Sequence, residues 1–525
     1  MAPATRPRLV LLAAIMGSFV AGLDATAVNV ALPAIERDLG GGLAGQQWVV
    51  NGYLLALGSL ILVGGSLGDV LGARRVFSLG VAGFGVASVA CAAAPSIELL
   101  VGARVVQGAF GALLTPSALA VIVAAFPGDR GPAIGTWTAW SGIATVVGPF
   151  AGGWLVDAAS WRWIFLVNVP FVLVTLALVR VAIPARAAGR PQRSIDWSGA
   201  ALCAAGLAGG VYGLIRQPQA GWASPSVVLP IAAGVALLAA FLLHEARAPD
   251  PMLPLGLFRR RNFAVGNVET FSMYGGLASM SFLLVLFLQQ VAGYDALEAG
   301  LATMPTTLVL FALSKRFGAL ADRLGPRVFM GGGPLLAAVG LAWFVRMPAD
   351  VDYVVDVLPG VLVFALGLAI TVAPLTAAIL ADADASDAGI ASGVNNAVAR
   401  VAALVAIAAV GAVVAGTFTA TAGDALPARA TGPEAQRVIE AARRRTLARA
   451  DTSGLPPAQR GPVARAVQDA SVHAFHVGMG ISAALIGLGG ALGLVGIVNP
   501  RRRVAAEACS GGQVAGAPAD AAQAR

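Results

Sequence analysis

Long apolar runs recur along the whole chain, and short stretches rich in arginine, glycine and proline separate them. A membrane-spanning helix needs about 20 consecutive apolar residues, and most of these runs are of that order. The pattern therefore predicts an all-α integral membrane protein with fourteen transmembrane helices. The predicted spans are residues 9–32, 47–67, 76–94, 98–124, 134–157, 161–183, 197–215, 226–244, 263–289, 297–314, 328–346, 354–380, 390–417 and 474–498.

Composition supports the same class of protein. Hydrophobic residues make up 58% of the chain and charged residues only 12%, with a mean hydropathy of +0.80, which is far from the range of soluble domains. The three cysteines are scattered without the spacing of a metal or redox motif. The first apolar run, from Leu9, is too long for a signal peptide and is interpreted as the first span. No cofactor and no metal are expected.

The distribution of basic residues predicts the orientation in the membrane. Short cytoplasmic loops carry an excess of Lys and Arg, and most arginines fall on one side if the N-terminus is cytoplasmic. The short loops of the other side carry only Arg37, Arg162, Arg216 and Arg346. The acidic loop at 381–387 departs from the rule. We expect a multi-pass protein of a bacterial cell membrane with both termini in the cytoplasm, and we interpret the net charge of +8 as membrane anchoring, not nucleic-acid binding.

The chain contains an internal duplication. The segment "GSLGDVLGARR" at 65–75 recurs as "GALADRLGPRV" at 318–328, eight predicted spans later and on the same side. This spacing predicts two pseudo-symmetric six-helix halves with a two-helix insertion. The expected divisions are an N-terminal half (1–183), a linker with two inserted helices (184–262), a C-terminal half (263–498) that includes an extracytoplasmic loop (418–473), and a cytoplasmic tail (499–525).

Four further motifs accompany the duplicated loop: "FVAGLDATAVNVALP" at 19–33, "LLVGARVVQGAFGALLTP" at 99–116, "SGIATVVGPFAGGWL" at 141–155 and "WRWIFLVNVP" at 161–170. In this order, the motifs resemble those of the major facilitator superfamily, and within it the fourteen-helix drug:proton antiporter family. The resemblance covers nearly the whole chain, although Val70 stands where the family often has arginine. It implies export of drugs or antibiotics in exchange for protons, by alternating access and without enzymatic chemistry.

The resemblance also implies roles for two sets of residues. The duplicated loop would form a conformational latch, whose candidates are Gly65, Asp69, Gly72, Arg74, Arg75, Gly318, Asp322, Arg323, Gly325 and Arg327; the alternative is that its charges are only interfacial. The fifth helix would form a flexible seal between the halves, with candidates Gly142, Gly148, Pro149, Gly152 and Gly153. Its alternative is that small residues merely allow close helix packing.

Charged residues inside apolar spans are the candidates for proton coupling, because a charge in the membrane is costly and usually functional. Asp24 and Arg104 lie at similar depths, about 8 Å and about 9 Å from the outer ends of spans one and four. They could therefore pair, and Asp24 could carry a proton. A static bridge, or an Arg104 that extends to the headgroups, are the alternatives. Glu269 lies about 9 Å from the inner end of span nine, where an interfacial role is as well supported as a proton-linked one.

Polar residues in the spans are candidates for the substrate cavity. Arg400 lies about 15 Å into span thirteen, near the midplane, and could contact substrate or Glu269. The candidate set is Asn29, Gln107, Asn395, Asn396 and Arg400.

The energy source follows from motifs that the sequence lacks. A phosphate-binding loop ends in Gly-Lys-Ser/Thr, whereas the single lysine, Lys315, follows "FALS". Transport driven by a proton gradient remains. The favoured hypothesis is a monomeric proton-coupled exporter of amphipathic small molecules. The alternative is a proton-linked carrier of a nutrient or metabolite; a channel, receptor or membrane enzyme is the third hypothesis.

Overall fold

A computed structural model describes residues 7–126, 130–183, 195–381, 388–425, 447 and 452–499, and these residues are almost entirely helical. The helices, in chain order, are α1 (Pro7–Leu39), α2 (Gly42–Leu71), α3 (Ala73–Ala92), α4 (Ile97–Ala125), α5 (Arg130–Ala158), α6 (Trp163–Leu166), α7 (Asn168–Ala182), α8 (Trp197–Ala220), α9 (Pro225–Glu245), α10 (Arg261–Phe287), α11 (Ala296–Leu324), α12 (Pro326–Trp343), α13 (Leu358–Ala381), α14 (Ala388–Ala425) and α15 (Pro457–Gly496).

The fifteen helices correspond to fourteen membrane passes, because α6 and α7 together form one pass. Within the described chain, thirteen helical segments are long and apolar enough to cross a membrane, with α6 and α7 counted together. The helix α5, with 29 residues, is also long enough to cross a membrane and is the fourteenth such segment. The predicted fourteen-helix, all-α membrane architecture is therefore confirmed.

One pattern of helix packing occurs twice along the chain. In the first seven helices, α1 packs against α5 and α7, α2 against α4, and α3 against α4 and α7. In the last six, α10 packs against α14 and α15, α11 against α13, and α12 against α13 and α15. The helices α8 and α9 pack on each other, and α8 also contacts α2 and α14.

The duplicated sequence forms the same backbone turn in both copies. Gly72 alone connects α2 to α3, and Gly325 alone connects α11 to α12. Their φ angles are 89° and 90°, a conformation in which a side chain would clash with its own backbone. Both copies of the duplicated segment thus form a tight turn at a glycine.

Helical structure extends into the segment 418–473, which the sequence predicts as an extracytoplasmic loop. Helix α14 continues to Ala425 and α15 begins at Pro457. Within residues 457–473, Val463, Ala466, Val467 and Ala470 are buried at helical spacing. Charged residues interrupt this segment, so its mean hydropathy hides the periodicity. The middle of the loop, except for Leu447, and the tail from residue 500 lie outside the described residues.

The two ends of the bundle can be distinguished by their contacts. At the start of α10, Arg261 Nε donates a hydrogen bond to the carbonyl oxygen of Gly496 at 2.7 Å. At the start of α12, Arg327 Nε donates a hydrogen bond to the carbonyl oxygen of Leu494 at 2.5 Å. The end of α15 thus lies beside the starts of α10 and α12. We call this end, where α1 also begins, the N-terminal face, and the other end the opposite face.

Candidate functional site

A buried ion pair joins the first and fourth helices. Arg104 Nη1 in α4 lies 2.6 Å from Asp24 Oδ2 in α1, and the two side chains are 2% and 0% exposed. Such a pair is tolerated in a membrane only when it is also well hydrogen-bonded. The structure brings the two residues into direct contact, and Arg104 does not extend to the headgroups.

Two amides complete the coordination of the Asp24 carboxylate. Its Oδ1 accepts hydrogen bonds from Gln107 Nε2 at 2.9 Å and Asn168 Nδ2 at 3.0 Å. Both amides also donate to Ser88 Oγ, at 2.9 Å and 3.2 Å. These side chains are buried, and together they tie α1, α3, α4 and α7 into one polar cluster, called the Asp24 cluster below.

Arg104 is held independently of Asp24. Its Nε donates to the carbonyl oxygen of Val49 at 3.2 Å and its Nη1 to Gln107 Oε1 at 2.5 Å. Gln107 follows Arg104 by three residues and so lies on the same helix face. The guanidinium carbon lies 4.3 Å from the centroid of the Tyr53 ring, within cation–π range.

This arrangement has a direct chemical consequence. The donors around Asp24 match the lone pairs of an ionised carboxylate. A proton on this group would turn one acceptor into a donor and remove the counter-charge of Arg104, while Arg104 would keep its other partners. Protonation at Asp24 would therefore loosen α1 from α4.

Part of this cluster was missed by sequence reasoning. Ser88 and Tyr53 carry no signal that separates them from other small polar or aromatic residues in spans. Asn168 did carry one, because it is an amide inside the apolar stretch "WRWIFLVNVP".

Glu269 forms a second buried acidic site. It lies on α10 with 0% exposure, and neither carboxyl oxygen has a hydrogen-bond partner in the described part of the chain. A Cβ added at Gly493 would lie 2.9 Å from Oε2, so the carboxyl group faces α15. An unpaired carboxylate here costs several kcal/mol, which suits this group to hold a proton.

Arg400 is not the partner of Glu269. Arg400 is half-buried on α14. A Cβ atom added at Gly58 of α2 would lie 3.3 Å from the Cβ atom of Arg400. Among the described residues it has no hydrogen bond and no ion pair, so Arg400 brings an uncompensated positive charge to the contact between α2 and α14.

A cavity of about 320 Å³ lies in the middle of the bundle. Its walls come from α1, α5, α10, α11 and α13, and so from both copies of the packing pattern. The lining is apolar with several hydroxyl and amide groups, and comprises Thr26, Asn29, Val30, Pro149, Met273, Tyr274, Leu277, Met280, Ser281, Val285, Thr303, Thr306, Thr307, Leu310, Leu368, Thr371, Val372 and Leu375.

Of the predicted cavity residues, only Asn29 lines this cavity. Gln107 belongs to the Asp24 cluster, and Arg400 lies at the contact between α2 and α14. Asn395 donates to Thr270 Oγ1 at 2.7 Å, and Asn396 is exposed and donates to its own helix. The threonines of the cavity were not predicted, because hydroxyl groups that bond back to a helix carbonyl are common in spans.

Glycines of α5 bring three helices into close contact. A Cβ added at Gly152 would lie 3.0 Å from Ala27 Cα of α1, and one at Gly153 would lie 2.6 Å from Leu297 Cα of α11. Gly148 packs against the Thr26 side chain, and the carbonyl group of Pro149 packs against Gly300. Close packing by small residues is thus present. Gly142 belongs to α5, but its surroundings lie outside the described residues.

An acidic side chain caps this contact at the opposite face. Asp157 Oδ2 accepts from Leu297 N at 2.7 Å and Oδ1 from Ala296 N at 3.3 Å. A carboxylate at the N-terminus of a helix is stabilised by unpaired N–H groups and by the helix dipole. The end of α5 is thereby fixed to the start of α11.

The candidate latch lies at the N-terminal face, in the two loops with matching turns. Gly65 and Gly318 lie in the last turns of α2 and α11, Arg74 is half-buried and Arg75 is exposed. Arg327 instead caps the carbonyl end of α15, and Arg323 lies in the last turn of α11. The carboxyl groups of Asp69 and Asp322 lie outside the described side chains.

A central cavity within fourteen helical passes defines a polytopic membrane transporter. Residues 14–409 match the family model of the Major Facilitator Superfamily. The chain belongs to the major facilitator superfamily, as its sequence motifs indicated.

Relatives include proteins of antibiotic resistance. The chain is 35% identical over 496 residues to the tetracenomycin C resistance and export protein of Streptomyces glaucescens, covering 92% of this chain and 89% of that protein. It is 33% identical over 468 residues to the multidrug resistance protein Stp of Mycobacterium tuberculosis (strain CDC 1551 / Oshkosh), covering 88% and 87%.

Solved structures share the fold. A bacterial homologue of the human lysosomal transporter Spinster, in an inward-facing and unoccupied conformation, superposes with a TM-score of 0.60 at 18% identity, over 94% of this chain and 99% of that one. This likeness concerns the fold alone.

Proposed function

We propose that this protein is a proton-coupled antiporter that exports amphipathic small molecules across a bacterial cell membrane by alternating access. One observation carries the proposal: Asp24, which is paired with Arg104 of α4, lies on α1 together with Thr26 and Asn29, which line the central cavity. A change in the charge of Asp24 therefore occurs on a helix that lines the cargo cavity.

The coupling uses the two charge states of Asp24. When ionised, Asp24 holds α1 to α4 through Arg104. When protonated, it releases Arg104, and α1 becomes free to move with its cavity residues. A proton that binds from one side of the membrane and leaves to the other thus biases the equilibrium between two conformations. Glu269 is the second proton site in this account.

The repeated packing pattern supports two moving halves. Helices α1–α7 (1–183) form one half and α10–α15 (263–498) the other, with α8 and α9 inserted in 184–262 and a tail from 499 onwards. The cavity lies between the halves, as expected for parallel repeats around a central site. The positive-inside pattern supports a cytoplasmic N-terminal face, with both termini inside and segment 418–473 opening outside.

Contacts between the halves support alternating access. Besides the Asp157 cap, Gln289 Nε2 donates to the carbonyl oxygen of Val30 at 2.9 Å, and Gln47 Nε2 to that of Ile407 at 2.8 Å. All three contacts lie toward the opposite face. In transport these contacts and the glycine contacts of α5 would break, while the latch loops would close the N-terminal face.

The relatives support export. Their names refer to tetracenomycin C resistance and export and to multidrug resistance, and a similar role for this chain requires a small-molecule substrate, protons and a bilayer. We propose that the chain acts as a monomer, because each copy already contains both halves around its own cavity.

Transport in everted membrane vesicles tests the proposal. Vesicles that acidify their lumen should accumulate a toxic amphipathic compound only when this chain is present, and dissipating the proton gradient should abolish accumulation. Uptake by intact cells, without accumulation in everted vesicles, would instead support the nutrient carrier. Cysteine labelling near both termini, in intact and in everted membranes, tests the orientation separately.

A further inference from the structure

The described lining of the cavity carries no formal charge. Its eighteen described lining residues include no Asp, Glu, Lys, Arg or His. A charged molecule would therefore enter without a counter-ion, and burying an unpaired charge in an apolar environment is far more costly than burying a neutral polar group.

Charged groups near the cavity do not help a cation. The carboxylate of Asp24 is already compensated by Arg104, and Glu269 faces α15. Arg400, the third charged group, is a cation at the contact between α2 and α14. A cationic ligand in the cavity would find no counter-ion among these three groups.

Two polar atoms of the lining lack partners. Asn29 Oδ1 on α1 and Thr306 Oγ1 on α11 are inaccessible to water and have no hydrogen-bond partner in the described chain. Other hydroxyl groups are satisfied, because Thr303 donates to the Gly300 carbonyl oxygen at 2.9 Å and Thr371 to that of Gly367 at 2.7 Å. Unpaired buried polar atoms are costly, so a small separation of α1 and α11 that lets a ligand pair with these atoms is favoured.

The remaining lining favours an adaptable apolar contact. Met273 and Met280 are flexible and polarisable, and a cavity of about 320 Å³ falls at the small end of the range for drug-sized ligands.

We infer that the cavity selects an uncharged, mostly apolar molecule that carries hydroxyl or carbonyl groups, and that it rejects permanent cations. This inference rests on the proposed function and names its substrate class. Asn29 accepts a hydrogen bond from a hydroxyl group of the cargo, and Thr306 pairs with an oxygen of the cargo on the facing helix.

A matched pair of probes tests this selectivity. One probe is a neutral hydroxyanthraquinone, and the other is the same ring system with a trimethylammonium arm. Purified protein in lipid nanodiscs should bind the neutral probe, and proteoliposomes with a proton gradient should transport it. Binding of the cationic probe should be at least tenfold weaker, about 1.4 kcal/mol.

Variants connect the selectivity to the cavity. Asn29→Asp has nearly the same shape but adds a negative charge, so it should weaken binding of the neutral probe and strengthen that of the cationic probe. Thr306→Val should weaken neutral binding about tenfold, whereas Thr303→Val, which removes a hydroxyl group already bonded to its own helix, should have a smaller effect.

The outcomes separate this inference from the proposed function. Gradient-driven transport of the cationic probe, at a rate equal to or above that of the neutral one, overturns the substrate class and leaves the antiporter intact. Gradient-independent movement of the neutral probe with retained selectivity overturns the antiporter and supports the substrate class. Absence of binding by both probes overturns the substrate class.

Discussion

Asp24 forms the buried ion pair of α1 with Arg104, and Asp38, on the same helix, forms an exposed one with Arg162. Both pairs measure 2.6 Å, but the side chains are 0% and 2% exposed in the first and 46% and 36% in the second. Exposed pairs contribute about 0–1 kcal/mol, whereas breaking a buried pair costs about 3–5 kcal/mol. Two pairs of equal length thus have unequal consequences, and the second is a natural control for the first.

Removal of Arg104 should destabilise the protein through the charge that it leaves behind. Arg104→Gln strands the Asp24 carboxylate in the membrane, and we expect a loss of about 3–5 kcal/mol in denaturant unfolding in detergent. The double variant Asp24→Asn/Arg104→Gln should recover most of this loss, yet stay inactive in proton-driven transport. Stability losses that simply add would show that the two residues do not interact.

Glu269→Gln should reduce the number of protons exchanged per substrate molecule. The glutamine amide has the shape of the carboxyl group but cannot take up and release a proton. Among the described residues the Glu269 carboxyl group has no hydrogen-bond partner, so the substitution removes no such contact. Stoichiometry can be read from the membrane potential at which net transport in proteoliposomes reverses. An unchanged reversal potential would limit Glu269 to a structural role.

Gly153→Val should impair closure at the opposite face, because even a Cβ at this position would lie 2.6 Å from Leu297 Cα. We expect at least a tenfold loss of transport, with increased reactivity of a cysteine placed near Ala296 toward a membrane-impermeant reagent. Gly102→Val is the matched control, since a Cβ there meets nothing within 4 Å. Equal effects of the two substitutions would argue against a specific contact.

Asp69→Asn and Asp322→Asn should slow transport without reducing the amount of protein in the membrane, because the latch biases a conformational equilibrium and does not contact cargo. Initial rates at saturating substrate, normalised to inserted protein, provide the measurement. If both variants transport at the parental rate, the duplicated loops are not a latch.

Much of the fold follows from the sequence, because bilayer thickness fixes the length of each span and the duplicated glycines fix the turns. The helical spacing of Val463, Ala466 and Val467 is present in the sequence, but the charged residues between them lower the mean hydropathy of the segment and conceal the helix. For the site, the depths of Asp24 and Arg104 indicated a pair since both are charged and rare in spans. The cavity threonines could not be predicted, because a hydroxyl group costs little in a helix, and only the packing of five helices decides which ones face the cargo.

Substrate-induced proton movement in proteoliposomes tests the central claim most directly. With an acidic lumen and a pH-sensitive dye, adding a transported compound should release protons through the parental chain and through Asp38→Asn. Through Asp24→Asn, the compound should bind with similar affinity but release no protons and reach no uphill accumulation. Full substrate-driven proton release by correctly inserted Asp24→Asn would contradict the account and remove Asp24 from the coupling mechanism.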